Sequence, residues 1–293
     1  MTTFLAGSTL LAVDTTILDE AAWYLRGRRL AVLTGAGIST ESGIPDYRGP
    51  QGSMRRRNPI KYKEFVFSDE ARRRYWARSA IGWPRAAEAK PNRGHHALTR
   101  LEETGLLTAI ITQNVDGLHQ EAGSRAVIEL HGALAWVVCL DCGRSEERSS
   151  VQGRIQILNP GWEERRVELA PDGDAELPRS LTDEFVVPAC THCGGTLKPD
   201  VVFFGENVPR STVDRAFAAV DEAEGLLVAG TSLAVYSGLR FLDHAAKRGL
   251  PAVLVNLGEV RGAHLASVQV EAPLGESLPL LVERLIASAS KVS

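Results

Sequence analysis

Apolar residues along this chain come in short blocks of strand length, set apart by longer stretches of helical periodicity. The block Leu30–Thr34 (Leu-Ala-Val-Leu-Thr) runs straight into a glycine-rich turn, and similar blocks recur at Leu107–Thr112, 226–229 and 252–256. None alternates with polar residues, the pattern of strands covered on both faces. Between them, 15–26 places Ala21, Ala22 and Leu25 on one face of a helix, and 210–223 and 238–248 carry the same 3.6-residue period. Strand and helix in alternation predict an α/β fold on a parallel sheet.

Two stretches break the alternation. Residues 55–91 are Arg-rich with interspersed aromatics, and 139–195 hold all four cysteines around a Pro-, Gly- and Asp-rich middle. Both read as insertions that build a second lobe against the sheet, leaving a cleft of the kind in which ligands bind. No internal repeat or low-complexity tract is present.

With 293 residues, 44% of them hydrophobic, the chain can bury one large core and a small satellite domain. Its 33 basic and 36 acidic residues leave a net charge of −3, which removes any global electrostatic reason to bind nucleic acid or an anionic membrane. No apolar run reaches the roughly 20 residues that span a bilayer. The weakly apolar stretch 4–13 has no basic region before it, and the first arginine is Arg26, so neither a signal nor an Arg-rich transit peptide is read. The expectation is a soluble, cytoplasmic protein, with a monomer as the default.

The cysteines lie in two pairs, Cys139-x-x-Cys142 and Cys190-x-x-Cys193, each followed directly by glycine. Such turns aim two thiolates at one tetrahedral ion, and the glycine permits the tight backbone behind them. Disulfides and unrelated buried thiols are the competing readings, the former disfavoured in a cytosolic chain. Four thiolates saturate zinc, so the predicted ion is structural, with His192 as a bystander.

The turn Gly35-Ala36-Gly37 between a strand and a helix is suited to a phosphate, though weak evidence alone. Thr40 replaces the third glycine of the dehydrogenase fingerprint, and Ser-Met-Arg-Arg-Arg-Asn (53–58) stands where a ribose-binding acid belongs. Hydride transfer is therefore disfavoured.

Five blocks carry a resemblance: Gly35-Ala36-Gly37-Ile38-Ser39, Gly43-Ile44-Pro45-Asp46-Tyr47-Arg48, Thr112-Gln113-Asn114-Val115-Asp116, Leu130-His131-Gly132 and Gly230-Thr231-Ser232. With the cysteine pairs and Val201-Val202-Phe203-Phe204-Gly205-Glu206, they resemble the sirtuin family in order across 22–285. Trp83-Pro84, Ala170-Pro171-Asp172-Gly173-Asp174 and Val235-Tyr236-Ser237-Gly238 are most similar to its class II branch.

The resemblance implies a Rossmann-type NAD-binding lobe from 1–54, 92–137 and 196–293. A smaller lobe would come from a helical insertion, 55–91, and a zinc-ribbon insertion, 138–195. It implies an NAD-dependent protein lysine deacylase that moves the acyl group to ADP-ribose and releases nicotinamide. By family position, Gly35, Ala36 and Gly37 meet the pyrophosphate; Pro45, Asp46 and Arg48 belong to the loop over NAD; Gln113 holds the nicotinamide-side ribose. Ile38, Asn114 and Asp116 line the nicotinamide pocket, and Gly230, Ser232, Asn256 and Leu274 hold the adenosine end. His131 is the base that takes a ribose hydroxyl proton, with Asn114 and Asp116 in the catalytic set, while His95, His96 and His119 are structural.

The acylated lysine peptide is expected to add as a strand along 201–204, with Val201, Phe203, Gly205 and Glu206 in contact. Some class II relatives read acidic acyl chains with a Tyr and an Arg three apart; here Met54 takes the Tyr position and Arg56 is left as the candidate reader. Tyr47 also replaces the usual Phe of its block. The remaining alternatives are a protein ADP-ribosyltransferase on the same scaffold and a non-catalytic zinc-ribbon module that binds NAD.

Overall fold

The strand β1 (Leu30–Thr34) is buried at all five positions, because helices cover both of its faces. The computed structural model describes residues 13–46, 59–162, 164 and 182–289. Tyr47, Arg48, Met54, Arg56 and the 170–174 segment lie outside the described residues.

Upstream of β1, helix α1 (Thr15–Leu25) starts where the Asp14 carboxylate accepts the Thr16 N–H at 2.9 Å. It buries Leu18, Ala21, Ala22 and Leu25. The strands that follow are β2 (Leu107–Thr112), β3 (Val127–Glu129), β4 (Gly132–Cys139), β5 (Ser145–Glu147), β6 (Leu197–Val201), β7 (Gly225–Ala229), β8 (Ala252–Val255) and β9 (Val268–Val270). The helices are α2 (Tyr62–Phe67), α3 (Asp69–Glu88), α4 (Arg93–Glu103), α5 (Leu118–Glu121), α6 (Arg148–Leu158), α7 (Arg210–Asp221), α8 (Tyr236–Lys247) and α9 (Leu274–Ala289).

The larger sheet is parallel with order β3-β2-β1-β7-β8-β9. This is the doubly wound order of Rossmann-type folds, with the topological switch between β1 and β7. Alternate residues of β1 supply opposite cores. Leu30 and Val32 pack with Leu18, Leu98 and Leu278 of α1, α4 and α9, whereas Ala31 and Leu33 pack with Val220 and Phe241 of α7 and α8.

A second, antiparallel sheet, β5-β4-β6, belongs to the smaller lobe, which therefore takes in Gly132–Cys139 and Leu197–Val201, with Phe203 in its core, beyond the 138–195 insertion expected for it. Its core draws on both insertions at once: Phe65, Tyr75 and Trp76 from α2 and α3 meet Val137, Cys139, Val151, Ile155, Trp162 and Leu197. The Phe65 ring stacks edge-on to Phe203 at 5.0 Å. Trp162 Nε1–H locks the two insertions together by donating to Ala77 O (2.9 Å), and Trp76 Nε1–H ties the first of them to β6 through Leu197 O (3.3 Å). Among the described residues, no helix is long and apolar enough to cross a membrane.

The helix expected after the turn that follows β1 is a seven-residue 3-10 helix, Ala36–Ser42. The regular strand expected over 201–204 is instead β6, which ends at Val201, and Phe204 forms a lone parallel bridge to Lys61. Gly205, with φ of 81°, breaks the extended run behind it.

Candidate active site and metal centre

Four chain segments leave the carboxyl ends of β1, β2, β7 and β8 beside one another: Gly35–Ser39, Gln113–Asp116, Gly230–Ser232 and Asn256. That is where a doubly wound sheet presents a ligand site. They line a cleft of about 1020 Å³ together with Pro45, Asp46, His131 and the small-lobe residues Val201, Phe203, Gly205 and Glu206.

Glycine is required where two of these segments touch. Gly37 N–H donates to Gly230 O at 2.8 Å, and a Cβ on Gly37 would stand 2.8 Å from that same oxygen. On Gly230, with φ of 68°, a Cβ would lie 2.4 Å from Ile38 N. Gly37 thus spends its N–H on the fold, and its contribution to the cleft is close approach of backbone.

A hydrogen-bonded relay crosses the floor. Asn114 Nδ2–H donates to Gly35 O (3.1 Å) and to Ser39 Oγ (3.0 Å), and Ser39 donates to Asp116 Oδ2 at 2.7 Å. Burial pushes the Asp116 carboxyl above its usual range, against the Leu118 N–H and Ser39 hydroxyl bonds that pull it down. Gln113 is fixed by bonds from its amide to Thr231 Oγ1 (2.9 Å) and Thr34 O (3.2 Å).

His131 sits between β3 and β4 with its ring held at both nitrogens. Nδ1 lies 2.9 Å from Gln113 O and Nε2 lies 2.9 Å from Ser237 Oγ. A carbonyl can only accept, so in the neutral ring Nδ1 carries the proton and Nε2 keeps its lone pair toward the Ser237 hydroxyl. Burial lowers the His131 pKa, the Gln113 carbonyl opposes that, and nearby Arg240 adds to it. The ring is accordingly neutral near pH 7 and able to take a proton.

His131 is also tied to the small lobe through its main chain, since its carbonyl accepts Val202 N–H at 2.8 Å and Gly132 pairs with Val201. The segment behind Val201 is clamped by a residue the sequence did not single out. Lys198, almost fully buried, donates to Val201 O (2.6 Å) and pairs with Glu206 (3.1 Å), whose carboxylate accepts Phe203 N–H at 2.8 Å. Glu206 and Phe203 are therefore partly committed to shaping this edge. A lysine set among apolar strand residues with an acid downstream is the only sequence signal for the clamp.

Two residues expected at the site turn their side chains elsewhere. Ile38 and Leu274 are buried in the core under the sheet, and neither lines the cleft. Asn256 lines it but donates to Leu257 O and Gly258 O, which shapes its own loop.

His95 and His119 form a buried pair beneath the cleft, rings 4.9 Å apart. His119 Nε2 meets Thr34 Oγ1 at 3.0 Å, and His95 Nδ1 accepts Asn92 N–H at 3.3 Å. His95 is lowered to about 4, first by burial and then by His96, and His119 to about 3, first by burial and then by His95. Because both folded values lie below the unfolded 6.5, unfolding takes up protons. Their stabilising contribution is complete above pH 6.5 and falls as pH drops from there toward 4 for His95 and toward 3 for His119, by up to about 1.4 kcal/mol per pH unit for each ring. The urea midpoint should therefore decline between pH 7 and pH 5 and decline less steeply in His119→Gln. A midpoint flat across that range rules out neutral buried rings.

The cysteines converge as their spacing predicts. All four are unbridged, and their sulfurs lie within 4.8 Å of one another. The Cys139–Cys193 and Cys142–Cys190 separations, 3.5 and 3.9 Å, bracket the edge of about 3.8 Å that a tetrahedron of 2.3 Å Zn–S bonds requires. Gly143 and Gly194, with φ of 71° and 73°, close the two knuckles by donating to Cys139 O and Cys190 O at 2.9 Å each. The donor set fits zinc and offers no position for a substrate.

The model of the Sir2 family matches residues 35–237. An NAD-dependent protein deacetylase of Xanthomonas campestris is 52% identical over 256 residues, 87% of each chain. A solved structure of Sir2 bound to acetylated peptide superposes with a TM-score of 0.72 at 31% identity, covering 91% of this chain and 97% of that one. A Sir2 variant solved with a deacetylated p53 peptide and 3′-O-acetyl ADP-ribose gives the same score and identity, covering 92% and 97%.

Proposed function

This chain belongs to the Sir2 family, and on that premise we propose how its residues carry out NAD-dependent removal of acyl groups from protein lysines. NAD is a co-substrate: loss of nicotinamide exposes an electron-poor ribose carbon that the acyl oxygen can attack. The glycine segments after β1 and β7 would take the dinucleotide, and the zinc site is structural.

One piece of geometry supports the assignment of the base. The His131 imidazole is fixed as a single neutral tautomer, and its unprotonated Nε2 meets the Ser237 hydroxyl on the wall of the cleft that both residues line. A ribose hydroxyl that takes the place of Ser237 as donor would give its proton to Nε2, which makes its oxygen nucleophilic toward the acyl carbon. The Asn114, Ser39 and Asp116 relay would hold the nicotinamide end. The acylated lysine would enter beside Val201, Phe203 and Gly205, along the outer edge of β6 and the chain that follows it.

The test is to incubate the pure protein with NAD and peptides bearing acetyl-, succinyl- or glutaryl-lysine, following peptide mass and nicotinamide. Free lysine peptide and nicotinamide should appear in equal amounts. ADP-ribose left on protein would favour the transferase instead. The same panel run on Arg56→Ala decides whether that arginine reads acidic chains: one charged contact corresponds to roughly 10–150-fold in selectivity, from about 1.5–3 kcal/mol.

A further inference from the structure

The base has a partner that the proposed deacylation does not use. Ser237 Oγ lies 2.9 Å from His131 Nε2. Because Nδ1–H is committed to Gln113 O, the hydroxyl must be the donor in this pair. The arrangement is nucleophile, base and orienting acceptor in line, with a backbone carbonyl in the place a carboxylate holds in a hydrolase triad.

The surroundings suit acyl chemistry. Both side chains line the cleft and both are partly exposed, so an ester can reach the serine oxygen. Ser237 sits in the first turn of α8, a helix of 12 residues, and Ala234 and Val235 ahead of it line the same cleft. The amide groups of that end and the helix dipole favour negative charge developing on a carbonyl oxygen. Arg240, one turn further along α8, also lines the cleft and adds positive potential.

We propose that Ser237 and His131 form a Ser–His dyad that hydrolyses activated acyl esters without NAD, through an acyl-serine. Ser237 Oγ bonds to the ester carbonyl carbon while its proton passes to His131 Nε2. The bond from that carbon to the alcohol oxygen breaks, and the departing oxygen takes the proton. Water then attacks the acyl-serine, giving one proton to His131 that returns to Ser237 as the carboxylic acid leaves. The natural ester in reach is the O-acyl ADP-ribose that deacylation would form in this cleft; that part of the proposal rests on the function proposed above. The enzyme would then consume its own ester product, giving the free acid and ADP-ribose.

The full chain is mixed with p-nitrophenyl acetate in the absence of NAD, quenched in acid and mapped by peptide mass. Acetyl on Ser237 is expected, with p-nitrophenol release lowered about 10²-fold in Ser237→Ala and in His131→Ala. Acetate release from 3′-O-acetyl ADP-ribose should exceed the spontaneous rate in the wild type alone. Acetylation confined to lysines of the wild-type protein overturns the dyad without reliance on any variant, as does wild-type esterase rate in a Ser237→Ala protein of full zinc content. Absence of acceleration on 3′-O-acetyl ADP-ribose removes that ester as substrate. Nicotinamide release with NAD and acetyl peptide, assayed separately, reports on the deacylase: its presence without acyl-Ser237 sinks only the dyad.

Discussion

Replacing His131 with alanine should cut NAD-dependent deacylation by about 10²–10⁴-fold while zinc content and the KM for NAD stay close to wild type. The size follows from the role: a base that takes a hydroxyl proton acts only in the transition state, so its loss lowers kcat and kcat/KM together. His131→Asn sharpens the test, because an amide can still donate to Gln113 O but presents no imidazole lone pair to the cleft. It should be as inactive as the alanine variant; recovery in the asparagine variant would make His131 a positioning residue and not the base. The wild-type pH profile carries the same information. Burial lowers the His131 pKa from 6.5, so the acid limb of kcat/KM should lie below pH 6.5, where a free imidazole would already be protonated. Thermal unfolding measured in parallel separates this limb from the acid destabilisation due to His95 and His119.

Stripping zinc should unfold the smaller lobe outright. Binding to four cysteines supplies roughly 10–16 kcal/mol, as much as the entire stability of an ordinary domain at about 5–15. Cys139 and Cys190 lie in the same core as Val137, Val151, Phe185 and Leu197, so loss of the knuckles opens that core and not just its rim. Trp76 and Trp162, buried in it, should shift their emission to longer wavelength on chelation or in Cys139→Ala. The parallel sheet has its own two cores and should keep most of its helical signal. Activity should vanish with the lobe, since the cleft loses the wall formed by Val201, Phe203 and Glu206. A metal-free protein with unshifted emission and full turnover would show that the ion contributes nothing to this core.

What the sequence reveals follows from how long each element is and which faces it covers. β1, β2, β7 and β8 are legible because helices cover both faces and their residues are almost all buried, mostly apolar with threonine only at Thr34, Thr108 and Thr112. β3 and β9 have three residues each, too few to carry a period, and they are visible only as partners of β2 and β8. α4 opens with Arg93-Gly94-His95-His96, and α9 has Gly275 and Pro279 near its start, residues that argue against helix until the packing is seen. The residues after the strand ends were legible as blocks because backbone geometry there demands particular side chains. The side chains of Ile38 and Leu274 pack in the core; the resemblance marks a segment and does not say which way a side chain turns. The His131–Ser237 contact joins residues 106 apart, and no local pattern can announce it.

The hydrogen bond from Val202 N–H to His131 O joins the two lobes at the proposed base itself. A side chain at Gly132 would stand 2.1 Å from Asp200 O, so the seam tolerates no spacer. On the proposed function, a peptide laid along the chain after Val201 would bear on the same main-chain bond that holds the His131 segment, so the seating of the cargo would be geared to the position of the imidazole.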